Sequence, residues 1–215
     1  MRIVTIDEWG KKMINPSIEE VIKERRTIRT LSDQTVSIEK IKKILEVASY
    51  APYHSKEEPW SVVIVSTDEE RRFFVEKIMD SYERLDIWAR YDQQHLAASK
   101  KRTERYFLDV PVTLIVTAPI SEKKKANLEA ISAVSAFIQN FQLAAWTHKI
   151  GVTWRTVPII FDEVFKQAVG VEADRQIIGL LDISMIDETI KQPTAKRTSV
   201  DQWVWDLSEK RLVEE

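Results

Sequence analysis

The hydrophobic pattern of the chain alternates between helical and continuous apolar stretches, and the changes mark its elements. Ser17-Ile-Glu-Glu20 has the form of a capping box, and Ile18, Val21 and Ile22 mark one face of a short helix ending near Arg25 and Arg26. The β-branched, polar stretch TIRTLSDQTV then reads as a loop. Ser37 caps a second predicted helix, in which Ile38, Ile41, Ile44, Leu45 and Ala48 keep the helical spacing up to about Tyr50. Pro52 and Pro59 bracket a loop, and Trp60 to Val65 is a short continuous apolar run, the pattern of a buried strand. Asp68 opens a charged helix to about Leu85, and residues 86–108, with the basic cluster KKRTER, read as helical or irregular. VPVTLIV at 110–116 predicts a second strand, 126–149 a long helix stopped at Gly151, 160–168 another helix, and QIIGLLDIS at 176–184 a third strand. Strands separated by helices imply an α+β protein with a covered sheet. One domain spans 1–215, with an N-terminal extension at 1–16 and a C-terminal arm at 185–215. The arm carries Trp203 and Trp205 without a long apolar helix, so it needs another surface to bury it, such as that of a second subunit.

Composition narrows the chemistry. The 215 residues, 44% apolar and 31% charged, suit one globular domain of ordinary size. Such a domain buries roughly 70% of its unfolded surface and needs no disulfide or zinc to close its core. The absence of cysteine removes thiol catalysis, thiolate metal sites and iron–sulfur clusters, and fits a reducing cytoplasm. His54, His95 and His148 are far apart, and neither G-x-S-x-G nor H-E-x-x-H occurs, so no metal site and no serine hydrolase is predicted. Gly10, Gly151, Gly170 and Gly179 stand isolated, which excludes a Walker A loop and a dinucleotide fingerprint. A nucleotide-like ligand must therefore be held by side chains. A net charge of -2 argues against a nucleic-acid partner. The opening MRIVTIDEWGKK lacks the apolar core of a secretory signal. The apolar stretch 128–147 contains Glu129, Gln139, Asn140 and Gln142, so it reads as a buried helix rather than a membrane span. Seven tryptophans point to large aromatic contact surfaces: a core, a subunit interface or a pocket for a flat ring system.

Four strings carry the chemistry: RRTIR at 25–29, APYHSKEEPW at 51–60, GVTWRT at 151–156, and Ile178 to Leu181 within the last strand. In this order they resemble the nitroreductase family of flavin enzymes, and most of all its small single-domain bacterial NAD(P)H nitroreductases, over about residues 17–200. The resemblance implies a central, mostly antiparallel sheet flanked by helices, and a homodimer in which the C-terminal arm extends onto the partner subunit. It also implies FMN as cofactor, NADH or NADPH as electron donor, and a nitroaromatic or other flat small molecule as acceptor. Arg25, Arg26 and Thr27 would hold the FMN phosphate and ribityl chain, with Arg29 adjacent and Lys196 and Arg197 as a closing basic pair. Charge-assisted guanidinium forks to a phosphate are worth about 1.5 to 3 kcal/mol each. The alternative for the arginines is to complement the dipole at a helix C-terminus, worth about 0.3 to 1 kcal/mol; for Lys196 and Arg197 it is a solvated surface pair.

By the same resemblance Tyr50 and His54 reach the cofactor from the opposite subunit, and Trp154, Arg155 and Thr156 meet the flavin through backbone and side chain. Arg155 would stabilise the reduced, anionic ring, or else pair with a surface carboxylate. The stretch Ala144 to Lys149 lies where the small enzymes accept NAD(P)H, although Ala144, Ala145 and Trp146 also suit a core. Tyr53, Lys56 and Glu58 stand where the wider family often has Ser, Asn and Gln. This departure motivates a second reading, a flavin-binding protein without efficient turnover that serves in storage, sensing or flavin handling.

Overall fold

A computed structural model describes residues 4–6, 12–14, 16–32, 34–191 and 193–210. In the N-terminal extension β1 (Val4–Ile6) and β2 (Lys12–Ile14) pair antiparallel, a pairing that the sequence pattern does not signal. Helix α1 (Ile18–Glu24) starts at the expected capping box: the Ser17 hydroxyl accepts from the Glu20 N–H, and the Glu20 carboxylate accepts from the Ser17 N–H at 2.7 Å. Helix α2 (Ile38–Ala48) starts at Ser37 and buries Ile41, Ile44 and Ala48. The chain continues through β3 (Ser61–Val65), α3 (Asp68–Arg84), α4 (Leu96–Asp109), β4 (Val112–Pro119) and α5 (Lys124–Thr147). It ends with β5 (Ile150–Arg155), α6 (Glu163–Ala168), β6 (Arg175–Met185) and α7 (Leu207–Lys210). The helix expected over 160–168 is divided. A 3-10 turn, Pro158–Phe161, precedes α6, and the Asp162 carboxylate between them caps α6 by accepting from the Val164 N–H at 3.0 Å.

The central sheet has the order β3-β4-β6-β5, and every neighbouring pair is antiparallel. Strand β5 corrects the reading of Gly151 as the stop of the long helix. Helix α5 ends at Thr147, Lys149 takes the left-handed φ of 59° that leaves the helix, and Gly151 lies inside the edge strand opposite Ser184. A Cβ on Gly151 would come within 2.7 Å of the Ile28 Cβ, so this glycine serves a close approach rather than a cap.

Alternation along the strands sends side chains to two layers. Leu114, Val116, Leu181 and Ile183 pack with Ile41, Ile44, Phe137 and Phe141 of α2 and α5. Ile115, Ile177 and Leu180 pack with Phe74, Ile78, Phe107 and Phe165 of α3, α4 and α6. Each such fully buried side chain contributes roughly 1.5 to 3 kcal/mol. The arm differs: Trp203, Trp205 and Leu207 remain 58%, 49% and 75% exposed in the single chain.

Candidate functional site

The end of α1 and strand β5, some 125 residues apart in sequence, are joined by three contacts. Thr27 forms a parallel bridge with Val152, the Thr153 hydroxyl donates to the Ile28 carbonyl at 2.7 Å, and Ile28 sits over the bare Cα of Gly151. RRTIR and GVTWRT are thereby brought together. Arg25 is half-buried at the C-cap of α1 and donates through Nη1 to Gln142 Oε1 of α5 at 3.3 Å. Burial, then the charges of Arg26 and Arg197, hold its pKa below the usual guanidinium value. Three cations thus converge where Arg25 itself hydrogen-bonds a neutral amide, an electrostatic setting suited to an anion.

Arg26 donates to the carbonyls of Lys23 (2.6 Å), Arg25 (2.8 Å) and Pro193 (3.0 Å), tying the arm to the end of α1. Thr27 and the exposed Arg29 line a hollow of about 160 Å³ with Asp187, Ile190 and Pro193. Lys196 is exposed, and its carbonyl accepts from Arg197 Nη1 at 3.1 Å.

Trp154 and Arg155 point to opposite faces of β5. Trp154 packs on the α5 side and its Nε1–H donates to the Ile178 carbonyl at 3.2 Å. Arg155 lies over the rings of Tyr106 and Phe107, 4.5 and 5.8 Å from their centroids, and its Nε donates to Asp182 Oδ2. The Tyr106 hydroxyl donates to the same carboxylate oxygen at 2.9 Å. Burial pushes the Asp182 carboxyl up, against the pull of Arg155, Tyr106 and Thr113. Burial and the Asp182 charge push the Tyr106 phenol up to about 12. The Arg155 charge is therefore compensated inside the protein, by a buried carboxylate rather than a surface one. Thr156 follows the strand and is exposed.

The 51–60 loop stands apart. Tyr50 is 86% exposed. The exposed His54 lines a hollow of about 390 Å³ with Tyr53, Glu58, Glu129 and Arg175, which shares no residue with the hollow lined by Thr27. Two of the departures from the family pattern have local work. Trp60 stacks on Phe137 with centroids 5.0 Å apart, Tyr53 meets Trp60 edge-on at 5.4 Å, and Glu58 accepts from the Trp60 Nε1–H at 3.0 Å. Sequence reasoning missed Gln142 and Asp182 as site residues. Their shared signal was a polar side chain inside an apolar element, 95% or more buried in both.

The fold and this corner define an α+β protein that gathers guanidinium groups at a sheet edge. The chain belongs to the nitroreductase family, whose sequence profile matches residues 22–183. It is 28% identical to YfhC of Bacillus subtilis (strain 168), which is named as an NAD(P)H nitroreductase, over 85% of this chain and 90% of that one. Among solved structures, a nitroreductase-like family protein from Bacillus cereus superposes with a TM-score of 0.76 at 28% identity, covering 93% of this chain and 97% of its own. Oxidized iodotyrosine deiodinase, solved with FMN and 3-iodo-L-tyrosine, shares the fold with a TM-score of 0.65 at 17% identity, covering 86% and 96% of the two chains.

Proposed function

We propose that the protein is a homodimeric, cytoplasmic, FMN-dependent oxidoreductase that takes electrons from NADH or NADPH and delivers them to a nitroaromatic or other flat acceptor. The observation that carries this reading is that RRTIR, GVTWRT and the arm that bears Arg197 are joined at one corner, where Thr27 bridges Val152 and Arg26 donates to the Pro193 carbonyl. The family, the name of the Bacillus subtilis relative and the FMN-bound structure of the same fold support it. FMN bound at this corner supplies the two-electron redox chemistry that amino-acid side chains lack.

The chain's own residues bind and orient. Arg25, Arg26 and Arg197 neutralise the phosphate dianion, Gln142 fixes the Arg25 fork, and the Thr27 hydroxyl offers a donor beside it. Arg29 and Lys196 add positive charge at the rim. The Trp154–Thr156 main chain offers N–H and C=O groups to the ring edge, while the Arg155 guanidinium anchors the segment through Asp182. Tyr50 and His54 belong to the site of the partner chain, and the Trp203–Leu207 arm buries its apolar side chains on that partner.

Titration with FMN tests the phosphate assignment. Arg25→Ala should weaken FMN binding roughly ten- to a hundred-fold, the equivalent of one charge-assisted fork of about 1.5 to 3 kcal/mol. Its effect on urea unfolding of the apoprotein should be small. An unchanged dissociation constant refutes the assignment. The reading as a flavin-binding protein without efficient turnover is favoured by one observation, that Tyr53 and Glu58 are engaged by Trp60 rather than left for a ligand. Steady-state oxidation of NADH or NADPH with a nitroaromatic or quinone acceptor separates the two; stoichiometric flavin without turnover selects the second.

A further inference from the structure

Strand β6 is irregular where Trp154 crosses it. Val116 of β4 pairs with Gly179 and Thr117 with Ile177, so Ile178 is an extra residue, a β-bulge. On the other side β5 stops opposite Leu180, and the indole of Trp154 lies over Gly179 on the α5 face of the sheet. The Ile178 carbonyl, displaced from the regular ladder, accepts the Trp154 Nε1–H at 3.2 Å. Gly179 is the condition for this contact. A Cβ there would overlap Nε1 and Cδ1 of the indole and stand 3.3 Å from Cε2, and the overlapped atoms belong to a rigid ring seated on the sheet.

We infer that Gly179 is a positioning residue for cofactor recognition: its bare Cα lets the Trp154 indole lock onto the Ile178 carbonyl, and that lock sets the main chain of Trp154–Thr156. The inference rests on the reading that this segment meets FMN. The opposite face of the segment is held as firmly, because Arg155 is bound to Asp182, which is 3% exposed. Both side chains are thus used as anchors, one on each face of the sheet, and recognition falls to the backbone between and just beyond them. A segment fixed from both faces presents its N–H and C=O groups without reorganisation, which is how a strand end acquires specificity without a dedicated ligand side chain.

The test compares the wild-type chain with Gly179→Ala, Trp154→Phe, Trp154→Ala and the double variant Gly179→Ala/Trp154→Ala. Readouts are FMN titration, visible circular dichroism of the bound flavin, urea unfolding of the apoprotein, and hydrogen exchange of the Trp154 indole N–H, assigned by its loss in Trp154→Phe. Gly179→Ala should lower FMN affinity at least tenfold, change the flavin dichroism and abolish indole protection in the apoprotein. Trp154→Phe keeps an aromatic ring without the donor, so it should fold even where Gly179→Ala does not, and should weaken FMN several-fold with the same dichroic change. In the Trp154→Ala background, adding Gly179→Ala should cost less than twofold, because the alanine no longer meets an indole. A full additive loss in the double variant overturns the inference, as do unchanged affinity and dichroism in both Gly179→Ala and Trp154→Phe; either result leaves the FMN reading standing. A wild-type chain that takes up no FMN overturns both.

Discussion

The corner between α1 and β5 and the loop at 51–60 are both marked by motif-like strings, yet one chain treats them in opposite ways. At the corner every motif side chain except Arg29 and Thr156 is at least partly buried. Arg25 meets Gln142, Arg26 meets Pro193, Trp154 meets Ile178 and Arg155 meets Asp182. His54 in the loop and Tyr50 just before it face outwards, and so do Trp203, Trp205 and Leu207 of the arm. On the proposed reading, the wired corner and the projecting loop would be the two halves of a site divided between two copies. The exposed tryptophans fit the same account, since obligate interfaces are where such rings are buried.

Mixing defects is the most severe test of a divided site. Arg25→Ala damages the finished corner and His54→Ala the projecting loop, so each homodimer should be deficient in FMN at a concentration set between the wild-type and variant dissociation constants. Co-expressed, the two chains form a mixed dimer with one doubly defective site and one intact site, and flavin should return to about one per dimer. Should each site lie within one chain, every site keeps a defect and flavin stays absent. That failure, or a monomer that still binds flavin in sedimentation, removes the divided site.

The contrast also explains what could be read from the sequence. Helices α1, α2 and α3 begin at Ser17, Ser37 and Thr67, whose side chains cap them, and the strands of the core are continuous apolar runs; these are local signals. RRTIR and GVTWRT meet at the corner, but neither string encodes its wiring. Arg155 finds Asp182 across β6 and Arg25 finds Gln142 on a helix 117 residues away, and no local period encodes either pairing. Gly151 looked like a helix stop because glycine often is one, whereas Lys149 adopts the left-handed turn and Gly151 makes room for Ile28. The lone acid in QIIGLLDIS was the available clue to the buried pair, since a carboxylate in an apolar strand needs a partner.

Stability measurements sharpen the difference between the two regions. Asp182→Ala strands a mostly buried guanidinium and should cost about 3 to 5 kcal/mol in urea unfolding of the apoprotein. Glu58→Ala removes one exposed hydrogen bond in the loop and should cost about 1 kcal/mol or less. Equal costs at the two positions would mean that the corner is no more tightly wired than the loop.

The smallest expected effect is a pH dependence carried by Tyr106. Its phenol, raised from 10.0 to about 12 first by burial and then by the Asp182 charge, holds its proton more tightly in the folded chain than in the unfolded one. The folded state therefore has the full benefit of this group below pH 10, and loses it as the pH rises from 10 towards about 12, where the folded phenol also ionises. In Tyr106→Phe the absolute stability should fall at neutral pH, because Asp182 loses a donor, but the alkaline decline between those limits should be shallower than in the wild type. Tyr82, also raised by burial, is present in both chains, so the difference between the two profiles isolates Tyr106. Parallel profiles up to pH 12 would mean that the phenol ionises without opposition, and that the corner holding Arg155 is wetter than its contacts imply.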